Sequence, residues 1–258
     1  MTTSAAQGTL YLVPTPLDHG YPSHECAALE QLLPLATIER AATLQHWVTE
    51  NAKSTRAFLN RVNSVKPLVC PLQAMTLTEL PRAVHKKGDH QTSDLSVAKQ
   101  WLTPALQGHD MGLISEAGMP AIADPGSSVV RAAHALGLTV RPLCGPVSLM
   151  LALAASGLNG QQFAFHGYLP IGDERVARIR QLESTALQTG QAQITIETPY
   201  RNAALLQTLM SALKANTRLA VACGLTLDDH IVSQTVAQWR EKKPLPTFQG
   251  PAVFMWGP

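Results

Sequence analysis

The residues best suited to holding a small molecule are Ser115-Glu116-Ala117-Gly118-Met119-Pro120, a loop between an apolar run, Met111 to Ile114, and a helical pattern from Ser127 to Leu136. Small side chains there let backbone amides and carbonyls approach a ligand closely. After Gly137 stops the helix, Leu138 to Leu143 reads as a second short strand, closed by the sharp turn Cys144-Gly145-Pro146 before Ser148. The pattern is strand, helix, strand, with a Gly/Pro-rich loop beyond each strand end. In parallel α/β sheets ligands bind outside the carboxyl ends of strands, so the two loops can face one small molecule. An ordinary strand-to-helix turn punctuated by Gly and Pro explains the same residues equally well. Neither Gly-x-Gly-x-x-Gly nor Gly-x-x-x-x-Gly-Lys-Ser/Thr occurs, which weighs against dinucleotide and P-loop nucleotide chemistry. A further carboxylate, Glu50, stands with Asn51 between a strand-like and a helix-like segment, where an acid also complements the helix macrodipole.

Elements on either side must position these groups. Gly8 to Val13 reads as a strand ending at Pro14-Thr15-Pro16, a stiff loop with few amide donors. Ser23 is expected to cap a helix running to about Leu33, Thr43 to Val48 to form a strand, and Lys53 to Val62 a helix whose Lys53, Arg56 and Arg61 are either a solvated face or a phosphate-binding surface. Between Lys66 and His90 a short strand and a polar segment are expected. Arg82, His85, Lys86, Lys87 and His90 form the densest basic cluster of the chain, read either as a soluble loop or as an RNA contact. Asp94 to Leu106 reads as one amphipathic helix. Later come a small-residue helix, Leu149 to Ala155, expected to be buried on nearly all sides, and strands at Phe163 to Tyr168, Gln193 to Glu197, Leu219 to Cys223, His230 to Val236 and Pro251 to Met255. Helices are expected at Asp173 to Leu187 and Asn202 to Leu213, and Arg175, Arg178 and Arg180 on the first of them read as a solvated face.

The 258 residues, 45% hydrophobic, suit two medium domains, and a formal charge of +2 permits RNA binding without demanding it. Cys26, Cys70, Cys144 and Cys223 form no Cys-x-x-Cys pair and read as reduced, mostly buried thiols. No His-Glu-x-x-His spacing occurs, so no metal is expected, and a cytoplasmic location is expected in the absence of a signal-peptide pattern.

SEAGMPAIADPGSSVVRAA followed by VRPLCGPVSLMLALAASGL resembles the core of the tetrapyrrole methylase superfamily, S-adenosylmethionine-dependent methyltransferases with two α/β domains. Within it the segments are similar to the branch that methylates ribose 2′-hydroxyls of small-subunit ribosomal RNA, whose pattern is roughly SDAGTPLISDPG and PGPSA. GTLYLVPTPLD, TENAKSTRAFL, FAFHGYLP and ETPYR follow the same family's landmarks in order, although the family has Glu-Asp where this chain has Glu50-Asn51. The resemblance implies an N-terminal mostly parallel α/β domain over 1–142 and a C-terminal mixed α/β domain over 143–258, with S-adenosylmethionine in the cleft between them. It further implies cofactor contacts from Pro16, Glu116, Ala117, Gly118, Met119, Ile122, Gly145, Val147, Ser148 and Gly224. Glu50 is the first candidate for the base that takes the hydroxyl proton and Glu197 the second, while Glu116 can balance the sulfonium charge. Arg201 is expected to hold an acidic group of the substrate, and Lys86 and Lys87 RNA phosphate. A homodimer and a small-ribosomal-subunit partner are also implied. Longer rRNA-modifying members carry a further C-terminal helical segment. Methylation of a tetrapyrrole or other small acidic substrate, and a non-catalytic cofactor-binding module, are therefore the alternatives.

Overall fold

In the computed structural model the described residues are 6–18, 21, 23–81, 89–227 and 231–258. They form two compact units, one holding Cys26–Val147 together with the N-terminal strand and the other built around Ser148–Pro258.

The first unit is a five-stranded, wholly parallel sheet in the order β3-β2-β4-β1-β5, made from β1 (Thr9–Val13), β2 (His46–Thr49), β3 (Thr76–Glu79), β4 (Met111–Ile114) and β5 (Thr139–Pro142). Alternation along the strands supplies a core on each face. Tyr11, Val13 and Trp47 pack on one side with Leu29, Ile38, Ala41 and Leu59, from the helices that follow β1 and β2. Leu10, Val48 and Leu113 pack on the other with Ala98, Leu102, Val129 and Ala132, from the helices that precede and follow β4. The chain therefore leaves the neighbouring strands β1 and β4 toward opposite faces. That divergence is a topological switch point, where a parallel sheet opens a crevice at its carboxyl edge.

Several expected helices are shorter or broken. A 3-10 turn, Ser23–Glu25, and two helices, Leu29–Leu32 and Leu35–Ala42, replace the single one expected from Ser23. Pro34 accounts for the break, because it has no N–H to continue a helix. Asp94 to Leu106 likewise divides into Ser96–Trp101 and Thr103–Leu106, with Pro104 in the first turn of the second.

The second unit is a mixed sheet in the order β6-β7-β10-β8-β9, from β6 (Phe163–Phe165), β7 (Ala192–Glu197), β8 (Arg218–Cys223), β9 (Val232–Thr235) and β10 (Ala252–Gly257). Only β6 and β7 run parallel; β10 lies antiparallel to both β7 and β8. Leu219, Val221, Phe254 and Trp256 face Ile179, Leu182, Leu205 and Leu209 of helices Glu174–Thr189 and Asn202–Ala212. Ala192, Ile194, Ala220, Val253 and Met255 face Leu149, Ala152 and Leu153 of helix Ser148–Ser156. That helix is not buried all round, since Met150 and Leu151 are exposed; it lies on the sheet by one side only. Arg175 departs from the expected solvated face, being buried with its Nε donating to Pro170 O at 2.7 Å. Cys144 is exposed and Cys223 is the one buried thiol among four free cysteines. Among the described residues no helix is long and apolar enough to cross a membrane.

Candidate functional site

At the switch point the loops after β1 and β4 are joined. Thr15 N–H donates to Gly118 O at 2.9 Å and Gly118 N–H to Thr15 O at 3.1 Å, a two-residue antiparallel bridge. Gly118 has φ +76°, and a Cβ there would lie 3.2 Å from Leu17 Cδ2 and 3.7 Å from Pro146 O. The loop after β4 thus lies against both the β1 loop and the Cys144-Gly145-Pro146 turn after β5. Gly145 serves a different neighbour: a Cβ there would meet Pro14 Cγ at 2.3 Å, so its missing side chain admits the β1 loop. Thr37 fixes the same turn through a hydroxyl bond to Cys144 O at 2.8 Å.

Carboxylates gather on the other side of the β4 loop. Glu50 N–H donates to Ile114 O at 3.1 Å, and the buried Glu50 carboxylate accepts Glu116 N–H at 3.1 Å. Glu50 therefore ties β2 to the β4 loop and does not enter the following helix. That task falls to Asn51, whose side-chain oxygen caps Ala52–Val65 by accepting from Lys53 N–H and Ser54 N–H. An amide oxygen caps as well as a carboxylate oxygen, so exchanging Asp for Asn here preserves the element. Asp124 completes the group: burial, then the neighbouring Glu50, push its carboxyl up to about 8 against a hydrogen bond from Ser115, with Glu116 adding to the rise. At neutral pH Asp124 therefore keeps its proton beside the Glu50 side chain.

The loop's helical end is held by Asp89, which the sequence reading did not single out. Its carboxylate accepts the N–H groups of Gly126, Ser127 and Ser128 at 3.1, 3.0 and 2.9 Å, and the hydroxyls of Ser127 and Ser128 at 2.7 and 2.5 Å. Burial raises its pKa, but the hydrogen bonds, led by the Ser128 and Ser127 hydroxyls, outweigh it and hold Asp89 below the usual range. The N-terminus of helix Ser127–Ala135 is thus satisfied from inside the protein and is not an open anion site. Between Gly118 and this clamp, Ala121 and Ala123 take left-handed backbone at φ 66° and 63°. Such positions cost about 1–3 kcal/mol each for a non-glycine residue and persist only where the surroundings impose them. Here those surroundings are the Thr15 bridge on one side and Asp89 on the other.

The remaining expected contacts distribute as follows. Pro16 and Gly118 are buried, Glu116, Ala117, Met119, Gly145 and Val147 half-buried, and Ile122 exposed, all in the first unit. Ser148, Glu197, Arg201 and Gly224 belong to the second, Ser148 opening its first helix and Gly224 turning at φ 62° after β8. Arg201 does not present a free fork, because Nε and a terminal guanidinium nitrogen both contact Glu197 Oε1, at 2.8 and 2.6 Å. Glu197 also accepts Thr198 N–H at 2.7 Å, so its carboxylate is engaged inside its own turn. Arg82, His85, Lys86 and Lys87 lie outside the described residues. Thr15 and Asp124, also missed, are local to the loops and lie within segments compared with the family. Asp89 stands 37 residues from Gly126, and no spacing rule links them.

Residues 32–239 match the family model described as tetrapyrrole (corrin/porphyrin) methylases. The chain is 31% identical over 226 residues to the ribosomal RNA small subunit methyltransferase I of Micromonospora olivasterospora, covering 87% of this chain and 62% of that protein. With the protein of the same name from Xylella fastidiosa it is 33% identical over 164 residues, 63% of this chain and 50% of that one. The matched stretch thus spans about half to two-thirds of these relatives' length. Among solved structures it is similar to the methyltransferase CobJ, with TM-score 0.55 at 17% identity over 97% of this chain and 94% of the other. It is also similar to a uroporphyrin-III-C-methyltransferase from Thermus thermophilus, with TM-score 0.51 at 16% identity over the same shares. At such identities these likenesses concern the fold.

Proposed function

From the premise that this chain belongs to the tetrapyrrole (corrin/porphyrin) methylases, we propose that it transfers a methyl group from S-adenosylmethionine to a ribose 2′-hydroxyl of small-subunit ribosomal RNA. The observation that carries the reading is the grouping of Glu50 and Glu116 about Asp124, which also bonds Ser115, beside the Thr15–Gly118 bridge at the switch point. Acidic side chains there suit a cationic cofactor and disfavour a phosphate-bearing one. The buried Thr15 hydroxyl, which has no hydrogen-bond partner among the described residues, fits a polar ligand at the same place. The relatives named as rRNA methyltransferases supply the acceptor class.

When bound, S-adenosylmethionine supplies a sulfonium methyl, already a good electrophile. The chain's share of the work is positioning and proton removal. Gly118, Ala117 and Met119 would hold the cofactor through a loop fixed at both ends, and Ile122 and Val147 would add apolar surface. Glu116 would balance the positive charge. Glu50, buried beside a protonated Asp124, is the group suited to accept the hydroxyl proton, whereas Glu197 is committed to Arg201. Lys86 and Lys87 are assigned to RNA phosphate and the assembly to a homodimer.

The test is transfer of tritiated methyl from the cofactor to small ribosomal subunits lacking the mark. A 2′-O-methyl group blocks alkaline cleavage at its nucleotide, so label should appear in alkali-stable dinucleotides. Label confined to mononucleotides, or none in the rRNA, defeats the reading; porphyrinogen acceptors provide the contrasting arm.

A further inference from the structure

Strands β6 and β7 run parallel as neighbours, with Phe163 opposite Ala192 and Phe165 opposite Ile194, so the turns that follow them leave the same end of the sheet. The first turn carries His166-Gly167-Tyr168 and the second Thr198-Pro199-Tyr200-Arg201. Gly167 O accepts both the Thr195 hydroxyl at 2.5 Å and Ile196 N–H at 3.1 Å, which pins the Tyr168 turn against β7. The second turn is a single 3-10 turn, Pro199–Arg201, closed by Arg201 N–H to Thr198 O at 3.0 Å. Both turns are therefore fixed by backbone bonds and do not depend on what their side chains touch.

Their side chains face outward. Tyr200 is 98% exposed, Ile171 71% and Tyr168 49%, an unusual density of apolar surface for two short turns. Arg201, next to Tyr200 in the chain, lies over the Tyr168 ring, its guanidinium carbon 5.8 Å from the centroid. Its carboxylate partner faces inward: the Glu197 side chain is 1% exposed and that of Arg201 39%. Negative charge is thus kept inside, while a flat cation held by Glu197 is shown to solvent beside the Tyr168 ring. Because two of its nitrogens are held by one Glu197 oxygen, Arg201 is poorly placed to fork an oxyanion. It is well placed as a planar surface of positive sign. Flat π-faced groups carried on an anionic chain match that surface in both shape and charge.

We propose that Tyr168, Tyr200 and Arg201 form a stacking platform for an unpaired nucleobase of the RNA acceptor. This rests on the rRNA reading above and adds to it how the second unit engages a single-stranded stretch. Every base has a π-face, so the platform grips without reading sequence, leaving selection of the target to other contacts.

Binding of the full chain to a single-stranded oligoribonucleotide carrying 2-aminopurine tests this, alongside the same strand with one abasic site. Stacking on a ring should change 2-aminopurine emission. Tyr200→Ala should weaken affinity about 5- to 100-fold and Tyr168→Ala should act in the same direction, whereas Tyr200→Phe should stay within about twofold. The salt dependence of binding should be unchanged in Tyr200→Ala, because no phosphate contact is removed. An exposed position of this kind tolerates truncation without unfolding. Equal affinity of Tyr200→Ala and the unaltered chain overturns the platform, as does an effect confined to self-association in sedimentation. Methyl transfer to ribosomal subunits, measured in parallel, separates the two failures. An active chain whose KM for subunits is untouched by Tyr200→Ala loses only the platform, and a chain inert on rRNA loses the reading beneath it as well.

Discussion

Asp124, within the β4 loop, and Asp89, which holds that loop's helical end, respond to pH in opposite senses. Asp124 binds its proton more tightly folded than unfolded, so its contribution to stability is full below about pH 4 and is lost as pH rises toward about 8. Asp124→Asn should remove that slope: its thermal midpoint, compared with the unaltered chain, should gain steadily between pH 5 and pH 8, by about 2–4 °C for each kcal/mol. Asp89 is depressed, so its contribution is present above the ordinary carboxylate range and disappears as pH falls through its lowered value. Asp89→Ala should cost about 2–4 kcal/mol in denaturant titration at pH 7, because three helix N–H groups and two hydroxyls lose their acceptor together. For the reaction, Glu50→Gln should lower kcat about 10²- to 10⁴-fold with cofactor affinity little changed, and an unchanged kcat would exclude Glu50 as the proton acceptor. At this scale residue type and position drew attention to Glu50 and the Ser115–Pro120 loop, but not to their partners. The contact of Glu50 with Glu116 N–H, the Asp89 clamp and the sharing of Arg201 with Glu197 all depend on how the turns fold.

Elements were legible where periodicity was strong and blurred where proline intervened. Thr9–Val13, Met111–Ile114 and Ser127–Ala135 fall within a residue of their expected limits, because apolar runs and flanking glycines mark both ends. The helix Leu35–Ala42 was not foreseen, its start being set by Pro34, and neither was Val236–Glu241, a two-turn helix capped by Thr235 and Gln238. The exposed side of Ser148–Ser156 escaped too, since an all-apolar helix gives no moment to point its buried face. Within the sheet of the first unit, Gly112 of β4 lies under the Trp47 ring of β2, and a Cβ there would come within 2.3 Å of Trp47 Cε3. Trp47 is itself fully buried, with its indole N–H on Leu44 O at 3.1 Å, so it cannot swing aside cheaply. Gly112→Ala should cost about 1–3 kcal/mol, measured as a lowered denaturant midpoint with unchanged slope.

At the scale of the whole molecule, resemblance and periodicity together made the α/β class and the family readable, and the parallel and mixed sheets agree with both. Strand order was not readable. A parallel sheet in the order β3-β2-β4-β1-β5 follows from which faces the helices cover, and that depends on packing across the sheet. The division of labour follows the same lines: the carboxylate group and the bridged loops belong to the parallel unit, and the exposed tyrosines to the mixed one.

In the mixed unit the strand latest in chain order, β10, occupies the middle of the sheet, hydrogen-bonded to β7 on one side and β8 on the other. During synthesis from the amino end, the parallel unit has all five strands in hand once Pro142 has emerged, whereas its neighbour must keep two strand edges open until Gly257. Nascent chains stalled after Gly250 should therefore resist protease through Leu138 and be digested beyond Ser148. The chain would then mature in two stages, with the loops that gather the carboxylates in place before the surface that offers its tyrosines exists.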